Sequence, residues 1–597
     1  MRRAALIGPP DSVTRLLADR LGLATGAACL LVPAPRRAQP AGAAPSYAEA
    51  AGETIVVYRP PWAGRRSGCP DLADAEELFL ALAAPAAPAD TGVRNAAAHR
   101  VQHFVLISSA AFVAPAHPHP GHVDELAPLP RSGNPIARAW AELERLALGA
   151  LGASPGLALT VLRPTAVAAR DGGDYLARLL GGRLALRLAG FDPSVQLLAP
   201  DDLARAVVQV VNGDPPPAGW PAFYQVAPAG VIPVRAALRL AHRRRLPVPY
   251  TAQRLARSLP ARLGWAAPIE QLDWLRHSAT VSGRRFRDEL GFVPRATSAA
   301  AVAEAFGGAP AAAAAAPPPA APEFDDYGMD QRYIERLGRT LFHFLHRYYW
   351  RVEVRGLEHV PRQGRAVLAG VHRGFQPWDG VMALHTLVRG IGRTPRFLIH
   401  PTLTKFPYLA PYMIKLGGII ACQDNADFVL SRDELLGMFP EGIQGAFTMY
   451  RDAYRLGKFG RDDFVKMALR HSAPIVPFVT AGSAEIFPIW GKIEWRWIRR
   501  LTEWPFLPLG PNFPLPGLPL PSKWHTEFLP PLEIGSRYPP EAAHDPAVVR
   551  QISQEVRGRM EEALGELRRR RKSIFYGAIF TPEAHERPPA ARPTAPR

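Results

Sequence analysis

The chain has 597 residues, of which 48% are apolar and 21% charged. That length exceeds one ordinary hydrophobic core and that composition excludes a wholly disordered chain, so at least two domains are expected. Lys and Arg number 71 against 53 acidic residues, a formal charge of +18 that favours partners with an anionic surface.

Only seven of these cations are Lys, and none of the seven lies before Lys405. The excess of Arg, Ala and Pro fits GC-rich bacterial coding. Cys29, Cys69 and Cys422 are far apart, odd in number and without metal spacing. This argues against a disulfide framework or a zinc module and fits a reducing cytoplasm. No apolar run reaches the roughly 18 residues of a membrane span, so no transmembrane helix is expected. The N-terminus is basic and then apolar, but Pro9-Pro10 stops the run too early for a signal peptide. It reads as a first buried strand.

From there, short apolar runs alternate with helical patterns. Strands are predicted at Ala4–Ile7, Ala28–Val32, Thr54–Tyr58, Phe104–Ser108 and Ala158–Leu162, with helices at Ser12–Leu21 and Asp71–Leu82. That alternation predicts an α/β domain with a Rossmann-like, doubly wound parallel sheet over 1–304. Residues 305–327 follow as an Ala/Pro-rich spacer. A second α/β domain is expected over 328–580, and 581–597 is a Pro/Ala/Arg-rich tail of disordered composition.

In the first domain, Phe104–Ser109 is followed by Asn134-Pro135, Leu162-Arg163-Pro164-Thr165, Val195-Gln196 and Asp201-Asp202-Leu203-Ala204. This order resembles the NAD-dependent epimerase/dehydratase branch of the short-chain dehydrogenases. The resemblance implies a catalytic Tyr with Lys four residues on; this chain has Ile136 and Trp140 there. The phosphate turn also departs from the family, because Gly8-Pro9-Pro10-Asp11 offers a proline without an N–H and a carboxylate that repels phosphate. An inactive scaffold, or a pocket for some other ligand, is expected, with NAD(P) bound weakly or not at all.

Four ordered signals mark the second domain. They are Val371-His372-Arg373-Gly374-Phe375-Gln376-Pro377-Trp378-Asp379-Gly380, Leu416–Ile420, Met438-Phe439-Pro440-Glu441-Gly442, and Ala473-Pro474-Ile475-Val476-Pro477. Together they resemble the glycerophospholipid acyltransferase superfamily over about Asp325 to Tyr538. The commonest first motif of that superfamily has four residues between His and Asp, whereas here six intervene. The longer form resembles the branch of lysophospholipid- and diacylglycerol-acyltransferase-like proteins, as do Tyr454–Arg461 and Gly482–Ile486. Arg373 stands where that branch usually has Ser.

Acyl transfer to an alcohol needs a base for the hydroxyl proton, and a His oriented by a carboxylate supplies one. His372 and Asp379 are the candidates, with backbone N–H groups near Gly374 or Gly442 as oxyanion donors. The resemblance places Phe439, Pro440, Glu441 and Gly442 at the acceptor headgroup, where Glu441 either holds a hydroxyl or orients a basic side chain. The usual Thr-Arg-Ser after this motif is replaced by Ile443-Gln444-Gly445, so Lys458 and Arg461 are the candidate phosphate contacts.

The expected activity is fatty acyl transfer from acyl-CoA or acyl carrier protein to a lysophospholipid or related glycerolipid, with no cofactor or metal required. The alternatives are a non-catalytic lipid- or nucleotide-binding scaffold and a bifunctional lipid reductase/acyltransferase. The segment 490–504 mixes Trp490, Trp495, Trp497 and Trp504 with Lys492, Arg496, Arg499 and Arg500, which suits an anionic phospholipid headgroup layer. A peripheral protein at the inner face of the cell membrane is therefore expected, with no nucleic-acid partner. The helical pattern over 332–350 is expected to pack on the core.

Overall fold

The computed structural model describes residues 4–25, 30–33, 55–63, 69–83, 101–113, 121–126, 134–249 without 155, 172, 173 and 183, 273–307, 324–511 without 461, and 519–580. The tail 581–597, most of the expected spacer, Cys29 and Arg461 lie outside the described residues. The chain forms two compact units, Met1–Asp330 with Thr404–Ile414, and Gln331–Leu403 with Lys415–Arg597. No helix among the described residues is long and apolar enough to cross a membrane.

The first unit is built on a six-stranded parallel sheet. Its strands are β1 (Ala4–Gly8), β2 (Leu30–Pro33), β3 (Ile55–Tyr58), β4 (His103–Ile107), β5 (Ala158–Pro164) and β6 (Ala222–Val226), in the spatial order β6-β5-β4-β3-β1-β2. Every residue of β1, β3, β4 and β5 is buried. Helices cover both faces of such a sheet, so its strands are buried along their length instead of alternating between core and solvent. Helices α1 (Ser12–Thr25), α2 (Leu72–Ala83) and α3 (Pro135–Ala153) lie between the strands in sequence. Asn134 caps α3, accepting from the Ile136 N–H at 2.9 Å, and Pro135 sits where a helix has no N–H to lose. The expected strands and helices appear within a few residues of their bounds.

The second unit carries a seven-stranded sheet. Its strands are β7 (Glu353–Arg355), β8 (Ala366–Gly370), β9 (Arg396–Ile399), β10 (Ile419–Ile420), β11 (Leu435–Met438), β12 (Ile475–Ala481) and β13 (His525–Phe528), ordered β7-β13-β12-β8-β11-β9-β10. All pairs are parallel except β12 with β13. The central strand β8 is flanked by β11 and β12. Ligands gather outside the carboxyl ends of such strands, and the residues after these three strands make the site described below.

Helix α4 (Trp378–Ile391) follows β8, and α5 (Pro546–Arg570) packs on β12. The start of α4 is pinned by indole packing. Trp350 stacks on Trp524 with ring centres 4.6 Å apart, and Trp378 meets Trp350 at 5.5 Å. The segment expected to pack its apolar face divides instead. Ile334, Phe342 and Leu345 are buried, while Leu341, Phe344 and Tyr348 are exposed, because helix Gln331–Arg339 ends in a break at Thr340 and a π-turn (Leu345–Tyr349) follows.

On α4, His385 is buried against Phe342 and His346, with ring centres at 6.1 and 5.3 Å. Burial, then the nearby Arg389 and His343, depresses His385 to about 4, and burial with His385 beside it depresses His346 to about 3. Both stay neutral in the fold, whereas the unfolded chain protonates them near 6.5. Their contribution to stability is complete above that value and is lost as pH falls toward the folded values. Each unmatched proton adds a slope of about 1.4 kcal/mol per pH unit in this window. Denaturant titrations of the full chain between pH 7 and 4 should show this acid loss, and His385→Phe should flatten it.

Candidate active site

The site begins at the end of β8, where the chain turns through Val371-His372-Arg373 into α4. Asp379, in the first turn of α4, is buried, and a carboxylate there is favoured by the helix dipole. Its Oδ2 accepts from His372 Nδ1 at 2.8 Å and from the Arg373 N–H at 2.8 Å, and Oδ1 accepts from the Gly380 N–H at 2.8 Å. With Asp379 ionised, Nδ1 carries the imidazole proton and Nε2 presents its lone pair. The Nε2 atom makes no hydrogen bond among the described residues, and the ring is 14% exposed.

Six intervening residues still close the His–Asp contact, because Gly374 and Phe375 both adopt positive φ, +82° and +56°. Gly374 is required there twice over: a Cβ would also lie 2.2 Å from the Ser483 carbonyl oxygen. Beneath the imidazole runs an aromatic stack. His372 lies on Phe439 at 4.7 Å between ring centres, and Phe439 lies on Phe397 at 5.7 Å. Gly437 makes room for it, since a Cβ there would approach Phe397 Cε1 to 2.6 Å. Phe439 thus supports the His372 imidazole from below.

Arg373 and Glu441 form the second layer, and both side chains are 2% exposed. Arg373 Nη1 donates to Glu441 Oε2 at 2.6 Å and Nη2 to Oε1 at 3.1 Å. The remaining guanidinium donors reach the carbonyls of Ala453 (2.9 Å), His372 (2.6 Å) and Arg455 (2.9 Å). Glu441 Oε1 also accepts from the Gly457 N–H at 2.7 Å. Of the two tasks open to Glu441 in the sequence, it orients a basic side chain. That side chain is Arg373, which appears in the sequence only as a departure from the usual Ser. A fork of five donors meets a carboxylate and three carbonyls, a fit that Lys lacks.

Pro440 is buried and its carbonyl accepts from the Gly460 N–H at 3.0 Å. Gly442 adopts φ +58° and ψ −147°, and its N–H is committed to the Phe439 carbonyl at 2.8 Å. The Gly442 N–H is thereby taken up within its own turn, whereas the Gly374 N–H makes no hydrogen bond among the described residues. Lys458 is exposed, next to the Gly457 that contacts Glu441.

Two further arrangements were not legible in the motifs. Tyr454 donates to Glu485 at 2.6 Å, and Arg571, from beyond the end of α5, donates to both. Burial and Glu485 raise the Tyr454 phenol above its ordinary range, so it is a donor. The other concerns the basic, Trp-rich segment. Trp490, Trp495 and Trp497 are 50–65% exposed, and Trp495 and Trp497 stack at 5.9 Å. Arg496, Arg499 and Arg500 are exposed on the short helix Arg496–Thr502. Trp504 instead packs half-buried against Phe375 and Phe447, at 5.1 and 5.9 Å. The exposed tryptophans are therefore tied to the loop that carries His372.

The Acyltransferase family model matches residues 351–481. Over 260 residues the chain is 36% identical to an uncharacterized protein of Mycobacterium tuberculosis, covering 42% of this chain and 72% of that one. A second uncharacterized protein, from Mycobacterium leprae, is 35% identical over 260 residues, 42% of this chain and 70% of that one. The chain belongs to the acyltransferase family, and the second unit is its acyltransferase domain.

Solved structures similar to about half of the chain include the UDP-glucose 4-epimerase of Thermus thermophilus in complex with NAD. It is 17% identical with a TM-score of 0.36, covering 51% of this chain and 99% of that one. A UDP-galactose 4-epimerase is 13% identical with a TM-score of 0.35, covering 51% and 97%.

A dinucleotide does not fit the turn after β1. A pyrophosphate needs free N–H groups at the start of α1. Here the Ser12 N–H donates to Asp171 at 2.8 Å and the Thr14 N–H to Asp11 at 2.9 Å. Asp11 is in turn held by the buried Arg59 at 2.6 Å. The protein's own carboxylates occupy the anion site. The Ser at the end of β4 is also committed: Ser108 donates to Glu144 at 2.7 Å, and Glu144 is paired with Arg163 at 2.7 Å.

The Arg373–Glu441 pair makes a thermodynamic prediction. Arg373→Met leaves Glu441 buried with one N–H donor and should cost about 3–5 kcal/mol in denaturant unfolding of the full chain. Adding Glu441→Gln should recover much of that loss, because no uncompensated charge remains.

Proposed function

We propose that the second unit transfers a fatty acyl group from acyl-CoA or acyl carrier protein to a hydroxyl of a lysophospholipid or related glycerolipid. His372 is the general base and Asp379 its orienting partner. The observation that carries this reading is the 2.8 Å contact between His372 Nδ1 and the buried Asp379, which leaves Nε2 to the substrate.

The acceptor hydroxyl lies against Nε2. As its oxygen attacks the thioester carbonyl carbon, the proton passes to Nε2, and Asp379 stabilises the imidazolium. The Gly374 N–H is the proposed donor to the resulting oxyanion. Collapse of the tetrahedral intermediate breaks the carbon–sulfur bond, and His372 returns the proton to the departing sulfur. The products are an ester and a free thiol. No cofactor enters these steps, and the first unit is proposed to bind no NAD(P). Lys458 is the proposed contact for an anionic headgroup, with Arg461 alongside it in sequence.

His372→Ala should lower acyl transfer by ~10²–10⁴-fold with the fold intact, and Asp379→Asn should do comparable damage through the wrong tautomer. The check is turnover of an acyl-CoA or acyl carrier protein thioester with a lysophospholipid, alongside a thermal melt. Near-normal turnover by folded His372→Ala protein overturns the mechanism.

We also propose that Trp490, Trp495, Trp497 and the neighbouring arginines rest on anionic phospholipid, peripherally at the inner face of the membrane. Support comes from their exposure and from the Trp504–Phe375 contact, which ties them to the catalytic loop. Each basic residue near such a surface contributes about 1 kcal/mol, screened over roughly 10 Å at 0.1 M salt. Replacing Arg496, Arg499 and Arg500 with Gln should weaken binding to anionic vesicles by up to about 3 kcal/mol. Vesicle flotation at low and high salt checks this, and unchanged binding makes the segment ordinary protein surface.

A further inference from the structure

Arg571 follows the last turn of α5 and is buried with Glu485, their side chains 6% and 5% exposed. Both arms of its guanidinium are used. Nη1 donates to Glu485 Oε1 at 2.5 Å and to the Tyr454 hydroxyl. Nη2 donates to Ser522 Oγ at 3.1 Å and to the carbonyls of Lys523 and Ile574 at 3.0 and 3.1 Å. Tyr454 itself donates to Glu485 Oε1 at 2.6 Å. Desolvation offsets most of the attraction within a buried ion pair, so such a pair is a poor source of net stability. What it does fix is the relative position of three segments that are distant in sequence, at 454, 485 and 522–523.

Two of these segments touch the turn that carries His372. The carbonyls on either side of Tyr454, those of Ala453 and Arg455, accept from Arg373 Nε and Nη2 at 2.9 Å each. Glu485 lies between Ser483 and Ile486, and these two bound Gly374 closely. A Cβ at position 374 would come within 2.2 Å of the Ser483 carbonyl oxygen and 3.2 Å of Ile486 Cγ1. The turn from His372 to Gly374 is thus held on one segment by the Arg373 side chain and on the other by the Gly374 backbone. The Tyr454–Glu485 bond ties these two supports together, and Arg571 anchors both to Ser522 and Lys523, which lead into β13.

We propose that Arg571 is a positioning residue for acyl transfer: through Glu485 and Tyr454 it sets the spacing of the two supports of the His372–Gly374 turn, and so holds the Gly374 N–H where the oxyanion forms. The inference rests on the reading of His372 as general base and Gly374 as oxyanion donor. Asp379 fixes the imidazole through its own hydrogen bond, so loss of Arg571 acts on the oxyanion side. A misplacement of about 1 Å can cost 10²-fold in rate. An interaction made only in the transition state is lost equally from kcat and kcat/KM, with KM unchanged.

The test compares the full chain with Tyr454→Phe, Arg571→Met and the double variant Arg571→Met/Glu485→Gln. Arg571→Met strands a buried carboxylate and should melt lower, whereas the double variant leaves no uncompensated charge and should melt near the parent. With thioester and lysophospholipid, well below each melting temperature, both Arg571 variants should lower kcat by about 30–100-fold and change KM less than about twofold. Tyr454→Phe should lower kcat by about three- to tenfold, the size of one hydrogen bond. A merely structural pair requires the opposite of the double variant, in which recovered stability would bring recovered turnover. Hydrogen–deuterium exchange adds a readout that needs no substrate. The Phe375 N–H is bonded to the Ala446 carbonyl at 3.0 Å, and on peptides covering 372–376 it should exchange about tenfold faster in the double variant, while peptides covering 396–399 keep the parental rate. Parental kcat in the folded double variant, a loss confined to KM, or parental exchange at 372–376 each overturns the inference. His372→Ala separates it from the reading beneath it. Inactive His372→Ala beside a fully active double variant removes only the role of Arg571, whereas active, folded His372→Ala removes the mechanism and this role with it.

Discussion

One buried carboxylate organises the second unit. Asp379 is shut away from solvent, so it gathers three donors: the His372 ring, the Arg373 N–H and the Gly380 N–H. A charge taken out of water is tolerated only when it is surrounded in this way. The same demand shapes the turn. Six residues between His and Asp fit only because Gly374 and Phe375 take left-handed backbone, and the helix that carries Asp379 starts where Trp378 packs on Trp350. The proposed base is therefore fixed from one side by electrostatics and from below by the Phe439 ring.

The Arg373–Glu441 pair extends that logic to a second loop. It joins the turn after β8 to the turn after β11, and its spare donors hold the carbonyls of Ala453 and Arg455. A Ser at position 373 is too short to reach these partners. In this chain a long, fully used guanidinium does the joining. Glu441 is consumed by the joint, which moves the proposed headgroup contact outward to Lys458. The first unit shows the opposite use of charge. There, Asp11, Asp171 and Arg59 close the place where a parallel α/β sheet usually receives a phosphate.

Much of this was legible from the residues. Short, mostly apolar strands alternating with helical patterns define parallel sheets, and Pro10 with Asp11 already argued against a pyrophosphate. The His–Pro–Asp–Gly pattern after an apolar strand placed His372 and Asp379 together. What the sequence did not carry were contacts between residues distant along the chain. Arg373 meets Glu441 across 68 positions and Arg571 meets Glu485 across 86, and no local spacing encodes either. The bond by which the Gly442 N–H closes its turn on the Phe439 carbonyl was likewise not encoded in the motif. The apolar pattern over 332–350 suggested one continuous packed face, and the break at Thr340 followed by a π-turn rotates Leu341, Phe344 and Tyr348 outward.

The central claim is that Asp379 fixes His372 with its proton on Nδ1 and its lone pair on Nε2. Nitrogen-15 NMR of histidine-labelled protein, with His372 assigned by difference from His372→Gln, reads this directly. Above the imidazole titration, the account requires an Nδ1-protonated neutral tautomer with a strongly deshielded, slowly exchanging Nδ1 proton, and loss of that tautomer's dominance in Asp379→Asn. A His372 that is mainly protonated on Nε2, or whose tautomer is indifferent to Asp379→Asn, contradicts it.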